Sequence, residues 1–233
     1  MKKPAFPHIQ TRLESLREEI TNTEIQYGRK KGSTELLAVS KTRSIDEVRL
    51  AIQAGQRHFG ENYLQDAITK ISALTDENLC WHFIGPLQSN KCKSVAEYFD
   101  WVHTIDRLKI AERLNSHRSD SLSALNICIQ INISGETSKS GINPEETSEL
   151  ADKIAGLENI NLRGLMALPA PETDFQAQRE AFAKVRQIFE GLQQEHPQLD
   201  TLSLGTTNDM QAAIAEGSTM VRIGTAIFGP RNQ

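Results

Sequence analysis

Paired cysteines, long apolar runs and an excess of positive charge are all missing from this sequence. Its three cysteines, Cys80, Cys92 and Cys128, are odd in number and widely spaced. They offer neither a disulfide framework nor a CxxC redox or zinc pattern, so reduced thiols and no metal are expected. No apolar run approaches the roughly 20 residues of a membrane span. The basic start Met1-Lys2-Lys3 has no apolar stretch behind it, so no secretory signal is expected and a cytoplasmic location is. With 26 Lys and Arg against 30 Asp and Glu, the net charge is −4. That leaves no basic face for a phosphate backbone, which excludes nucleic acid as the expected partner. No stretch rich in Pro, Gly or Ser divides the chain, so residues 1–233 are expected to form a single domain. The 233 residues, 38% of them hydrophobic, suffice to bury roughly 70% of the unfolded surface without staples.

Hydrophobic spacing divides the chain into repeating units. Leu13, Leu16 and Ile20 predict an opening amphipathic helix over 9–31, ended by Gly32-Ser33. Leu36-Leu37-Ala38-Val39-Ser40 is a continuous apolar run, as a strand buried on both faces shows. Ser44 and Glu47 predict a capping box for the next helix. The unit then recurs, with strands over 58–60, 81–84, 101–104, 126–133, 162–166, 202–204 and 220–223. Helices are predicted over 63–74, 89–99, 107–115 and 208–215, with another following Pro144 and a long one from Phe175 to His196. Strict alternation implies parallel strands joined by crossover helices. Eight units fit an α/β fold of the (β/α)8 TIM-barrel type with an extra N-terminal helix. The competing open sheet would want GxGxxG after its first strand, where Ser40-Lys41-Thr42-Arg43 stands instead.

In such a barrel the chemistry sits at the C-terminal strand ends, with phosphate commonly held after strands seven and eight. Strand seven leads into Ser203-Leu204-Gly205-Thr206-Thr207 and strand eight into Arg222-Ile223-Gly224-Thr225. Gly205 and Gly224 permit close backbone approach, the threonines offer hydroxyls, and a helix opening at Asn208-Asp209 aims N–H groups at the same place. Taken singly, each segment also reads as an ordinary glycine turn with a Thr cap. Lys41 directly follows a buried apolar strand. Partial desolvation, with Arg222 across the mouth, would free its amine as a nucleophile, whereas the plainer reading is a lysine snorkelling to water. An amine on strand one and a phosphate cradle on strands seven and eight would together hold a phosphorylated aldehyde. Pyridoxal 5′-phosphate (PLP) is that kind of molecule.

Four segments carry a resemblance over residues 9–231. They are Ala38-Val39-Ser40-Lys41-Thr42, Phe59-Gly60-Glu61-Asn62-Tyr63, the run from Trp81-His82-Phe83-Ile84 through Gly85-Pro86-Leu87-Gln88-Ser89-Asn90-Lys91, and Val221-Arg222-Ile223-Gly224-Thr225-Ala226-Ile227-Phe228-Gly229. Together they resemble the YggS/PROSC family of PLP homeostasis proteins. The resemblance implies a fold like the N-terminal barrel of alanine racemase, with PLP held on Lys41 as a Schiff base. The family's segment after strand seven usually reads Met-Gly-Met-Ser; Leu204-Gly205-Thr206-Thr207 keeps a hydroxyl at Thr207, so phosphate binding is expected to survive. Arg222 is expected to face the pyridine nitrogen. A guanidinium keeps its proton, which leaves that nitrogen unprotonated and the cofactor a weak electron sink. Asn62 is expected to bond the 3′-oxygen, with Met166 as a wall and Ser203, Gly205, Thr207, Gly224 and Thr225 around the phosphate. His82, inside a strand, reads as a satisfied core histidine. Lys139, in a Ser-Lys-Ser-Gly loop, reads as a solvated lysine or a second aldehyde acceptor.

Two functions compete. A carrier would hold PLP and pass it to PLP-dependent apo-enzymes. An amino-acid racemase would need a second base opposite Lys41. Racemases of this resemblance take that base from a tyrosine in a C-terminal β-domain of a partner subunit, whereas this chain ends at Gln233 and only Tyr63 lies near the rim. A carrier without catalytic turnover, and a monomer, is therefore expected. A barrel aldolase would pair Lys41 with an acid, for which Glu61 is the close candidate.

Overall fold

A computed structural model describes residues 8–75, 77–134 and 140–230. Eight strands, β1 (Glu35–Val39), β2 (His58–Glu61), β3 (Cys80–Phe83), β4 (Trp101–Ile105), β5 (Leu125–Ile131), β6 (Ile160–Ala167), β7 (Thr201–Ser203) and β8 (Met220–Ile223), close into a barrel in sequence order. Every pairing is parallel, including the seam where Glu35 to Ala38 meet Met220 to Ile223. The helices are α1 (Ile9–Gln26), α2 (Ile45–Gln53), α3 (Leu64–Ala73), α4 (Cys92–Tyr98), α5 (Leu108–His117), α6 (Thr147–Ala155), α7 (Phe175–Glu195), α8 (Met210–Ala215) and α9 (Thr225–Phe228).

The local signals explain most of these boundaries. Ser44 accepts from the Glu47 N–H while Glu47 bonds back to Ser44, so the capping box forms as the pair predicts. α1 stops at Gln26 rather than 31. Gly28, at φ 69°, turns the chain there, well before Gly32. α9 was not predicted, because a single turn gives no period to detect.

Two cores result. The larger lies between strands and helices, where α1 buries Ile9, Leu13, Leu16 and Ile20. A smaller apolar cluster of Trp101, Cys128 and Met166 sits inside the barrel. Polar side chains share that inner space: His82, His103, Ser203 and Arg222 are all buried. A bulge between β5 and β6 pairs Ile127 with Leu162 but Cys128 with Gly164. The extra residue, Arg163, lies 4.9 Å over the Trp101 ring and pairs with Asp200.

Candidate functional site

A cavity of about 420 Å³ opens at the C-terminal ends of the strands, within the usual range of roughly 300–1,000 Å³ for small-molecule sites. The predicted residues Lys41, Asn62, Met166, Thr207, Arg222, Gly224 and Thr225 all line it. Ser203 and Gly205 do not. Ser203 is fully buried one layer deeper, and Gly205, at φ 90°, backs the turn so closely that a Cβ would lie 2.6 Å from that of Ala213. Lys139 falls outside the described residues.

Lys41 rests on a braced segment. The Lys70 amine, itself buried, donates to the Ser40 carbonyl at 2.7 Å and to Glu61 and Asp66 at 2.8 Å each. Ser40 Oγ donates to the same Glu61 oxygen at 2.7 Å. Burial raises the Glu61 carboxyl, and Lys70 and Ser40 offset part of that rise. Thr42 follows Lys41 at φ 63°, a left-handed conformation that is strained for a β-branched residue. Its N–H bonds Asp66, and the Arg43 guanidinium grips the Gly229 and Pro230 carbonyls. The strand-one exit is thus tied both to α3 and to the end of α9.

Arg222 is held as firmly. One guanidinium nitrogen donates to the Ser203 carbonyl and, at 2.7 Å, to Ser203 Oγ; the other donates to the Ala167 carbonyl at 3.0 Å. Burial lowers its pKa to about 10, with Asp209 and Cys128 opposing, so it stays charged at neutral pH. Behind it runs a file the sequence did not reveal. Ser203 Oγ lies 2.8 Å from His103 Nδ1, and His103 Nε2 lies 2.9 Å from His82 Nδ1. His82 Nε2 in turn lies 3.0 Å from His58 Nδ1. Burial, then the Arg222 charge, pushes His103 down to about 3; burial and the other two rings also push His82 down. Both imidazoles are neutral, and His82 is the hydrogen-bonded core histidine the sequence suggested. Strand alternation alone could have flagged His103, since it lies inward as Trp101 does.

The rest of the wall is polar on one side and apolar on the other. Asn62 Oδ1 is buried without a partner among the described residues, a condition that costs about 1–3 kcal/mol until something satisfies it. Thr206 donates through both its N–H and its hydroxyl to Asp209, which commits that hydroxyl's proton. Thr207 and Thr225 remain exposed at the rim. Val39, Ile84, Met166 and Leu168 supply apolar surface. Glu61 is fully buried, held by Ser40 and Lys70, and absent from the lining. The acid that an aldolase would need therefore does not face the cavity.

The alanine racemase N-terminal domain family matches residues 13–232. The pyridoxal phosphate homeostasis protein of Escherichia coli is 53% identical over 223 residues, covering 94% of this chain and 95% of that one. Its Vibrio cholerae counterpart is 50% identical, covering 96% of this chain and 97% of that one. PipY of Synechococcus elongatus, solved with PLP bound, superposes with a TM-score of 0.83 at 36% identity, covering 95% of this chain and 100% of that one. Clostridium difficile alanine racemase, at 13% identity, a TM-score of 0.69 and coverage of 93% of this chain and 57% of that one, shares the fold. From barrel, site and relatives alike, the chain belongs to the pyridoxal phosphate homeostasis protein family, built on an alanine racemase-type barrel.

Proposed function

We propose that this protein binds PLP in the upper cavity and acts in its homeostasis as a carrier, holding the cofactor and passing it to PLP-dependent apo-enzymes in the cytoplasm. One observation carries the reading: Lys41, Arg222 and the Thr207 and Gly224-Thr225 turns line one cavity of about 420 Å³. The donor set fits the group. Lys41 offers an amine for the aldehyde, Asn62 an amide Nδ2 to donate to the ring oxygen, Arg222 a fixed cation, and the two turns hydroxyls and backbone N–H groups for the phosphate. When bound, PLP supplies an aldehyde that condenses reversibly with the Lys41 amine, releasing one water. Lys70 holds the Ser40 carbonyl and Glu61 the Ser40 hydroxyl, and together they aim Lys41. Ser203 and Ala167 fix Arg222, which keeps its proton and so cannot hand one to the ring nitrogen.

The carrier reading is favoured over a racemase by what faces Lys41. Among the described residues no tyrosine lines the cavity, and Tyr63 is 57% exposed. The mouth opens to solvent, which suits exchange better than carbanion chemistry. Among the described residues the exposed large hydrophobics are Ile25, Tyr63, Leu122 and Leu168, from four separate segments of the chain, which supports a monomer. No helix among the described residues is long and apolar enough to cross a membrane.

The test is an absorption spectrum of the purified protein with PLP, before and after Lys41→Ala. The native protein is expected to show a visible band of the lysine-bound cofactor that sodium borohydride fixes covalently, and the variant is expected to lose both. An unchanged band in the variant would remove Lys41 from its role. Incubation with L-alanine separates carrier from racemase: D-alanine formed at roughly 1 per second or faster would overturn the carrier.

A further inference from the structure

The opposite end of the barrel carries a second constellation, separate from the upper cavity and joined to it only by the file that runs from His82 through His103 and Ser203 to Arg222. His58 opens β2 and Cys80 opens β3, and the parallel register sets them side by side. His82, two residues beyond Cys80, projects from the same face of β3. His58 Nδ1 and Cys80 Sγ both crowd one atom, His82 Nε2, at 3.0 and 3.3 Å. The three ligand atoms lie within 4.8 Å of one another. The linear pattern, a histidine far upstream of a Cys-Trp-His, hides this; strand register creates it.

We propose that His58, Cys80 and His82 form a binding site for a zinc-class divalent cation at the base of the barrel. Tetrahedral zinc with bonds of about 2.0–2.1 Å to nitrogen and about 2.3 Å to sulfur separates its ligand atoms by roughly 3.3–3.8 Å. The two contacts at His82 Nε2 need only spread by a few tenths of an ångström to admit it, and His58 Nδ1 and Cys80 Sγ lie within 4.8 Å of each other. A ring nitrogen has one lone pair or one hydrogen, so His82 Nε2 cannot serve His58 and Cys80 fully at once. A cation between the three satisfies all of them. Mixed imidazole and thiolate ligands select zinc over magnesium or calcium. Binding releases the Cys80 thiol proton to solvent and forms a sulfur–metal bond, with no change of oxidation state.

The outer contacts suit a metal ligand. A coordinating histidine normally donates its other N–H to an acceptor that fixes the ring. His82 Nδ1 faces His103 Nε2 at 2.9 Å, and His103 Nδ1 faces Ser203 Oγ at 2.8 Å. With the cation on Nε2, His82 donates from Nδ1 to His103, and His103 donates to Ser203. Burial first, and then the Asp100 and Glu35 charges, pushes the Cys80 thiol up to about 12, so the thiol gives up its proton only to a bound cation, which the same two carboxylates also attract. A separate cavity of about 490 Å³, lined in part by Glu24, Glu35 and Gln56, reaches His58 from solvent. Arg17 and Arg57 also line it, their guanidiniums held by the Ile52, Ala54 and Gln56 oxygens. Three protein ligands leave a fourth position for water.

Among the described residues the other grouping of this kind, Asp152, Glu195 and His196, has two exposed acids and serves as the control. The experiment is equilibrium dialysis of the full chain against zinc chloride, with cobalt(II) as a spectroscopic stand-in. One equivalent of zinc per chain is expected, and cobalt is expected to give a near-ultraviolet thiolate-to-metal charge-transfer band. Cys80→Ser should abolish that band and weaken zinc binding by about 10–100-fold or more, and His58→Gln should weaken binding similarly. His196→Gln should change neither. The cobalt spectrum of the unaltered protein needs no variant to fold, and a missing band there overturns the site. So would binding that survives Cys80→Ser, or binding that His196→Gln removes.

Discussion

At the scale of single residues, charge placement inside the barrel is paid for by hydrogen bonds rather than by counter-ions. Arg222 is 5% exposed and is surrounded by carbonyl and hydroxyl oxygens from β6 and β7. Ser203→Ala removes one of those acceptors and also the partner of His103 Nδ1. Urea unfolding should report a loss of about 1–3 kcal/mol, the usual cost of stranding buried polar atoms. A change within about 0.5 kcal/mol of zero, as for an idle surface position, would show that Ser203 does not brace Arg222. The histidines make a pH prediction. His103 falls from 6.5 to about 3 on folding, and His82 is lowered too. A lowered histidine binds its proton more readily when unfolded, so its stabilising contribution is complete above pH 6.5 and declines below it until the folded pKa is reached. Each group alone contributes a slope of about 1.4 kcal/mol per pH unit. Glu61, raised by burial, works in the opposite sense, its contribution fading as pH rises above 4.5 toward its folded value. Unfolding midpoints should therefore fall steadily from pH 6.5 toward 5, and His103→Gln should flatten that fall. An equal slope in the variant would mean that His103 does not stay neutral.

At the scale of elements, the β6–β7 contact is where backbone and side chain compete for space. Gly164 sits at the bulge with φ 156°, and a Cβ there would lie 1.8 Å from the Thr201 carbonyl oxygen. Gly191, inside α7, has nothing within 4 Å of its own virtual Cβ. Gly164→Ala should force β6 from β7 and lower the thermal midpoint sharply, whereas Gly191→Ala should gain about 0.5–1 kcal/mol from better helix propensity. Equal effects in a thermal melt would contradict the described packing. The same two scales explain what could be read in advance. The first strand was legible because a strand covered on both faces becomes a short unbroken apolar run, Leu36-Leu37-Ala38-Val39, the fifth because Ile127, Ile129 and Ile131 alternate, and the others because the unit recurs between helices. That Lys41, Asn62 and Arg222 line one cavity was legible because a barrel opens its cavity at the strand exits. The early end of α1 was missed because Gly28 was read as one helical residue among others. Ser203 was placed a layer too high, and the His58–His82–His103 file was missed altogether. Both depend on register between strands, which no single stretch of sequence contains.

At the scale of the whole molecule, the upper cavity straddles the seam that closes the barrel. Its walls come from β1 near one end of the chain and from β7 and β8 near the other. The seam itself carries four registered pairs, whereas the neighbouring β7 and β8 share a single one, Ser203 with Met220, and Arg222 reaches from β8 across to β7 and β6. A ligand gripping Lys41 and the turns after β7 and β8 would bridge the seam, so its binding energy should stabilise the entire fold rather than one lobe. At a free PLP concentration a hundredfold above Kd, linkage predicts a gain of about 2.7 kcal/mol in unfolding free energy. The denaturant midpoint should rise with the slope m unchanged, because the surface exposed on unfolding stays nearly the same. Lys41→Ala should lose most of that gain at the same PLP concentration, measured against the variant's own ligand-free midpoint. Two separate unfolding steps, of which PLP moved only one, would show that the barrel does not melt as a unit, and that the seam is not where the ligand acts.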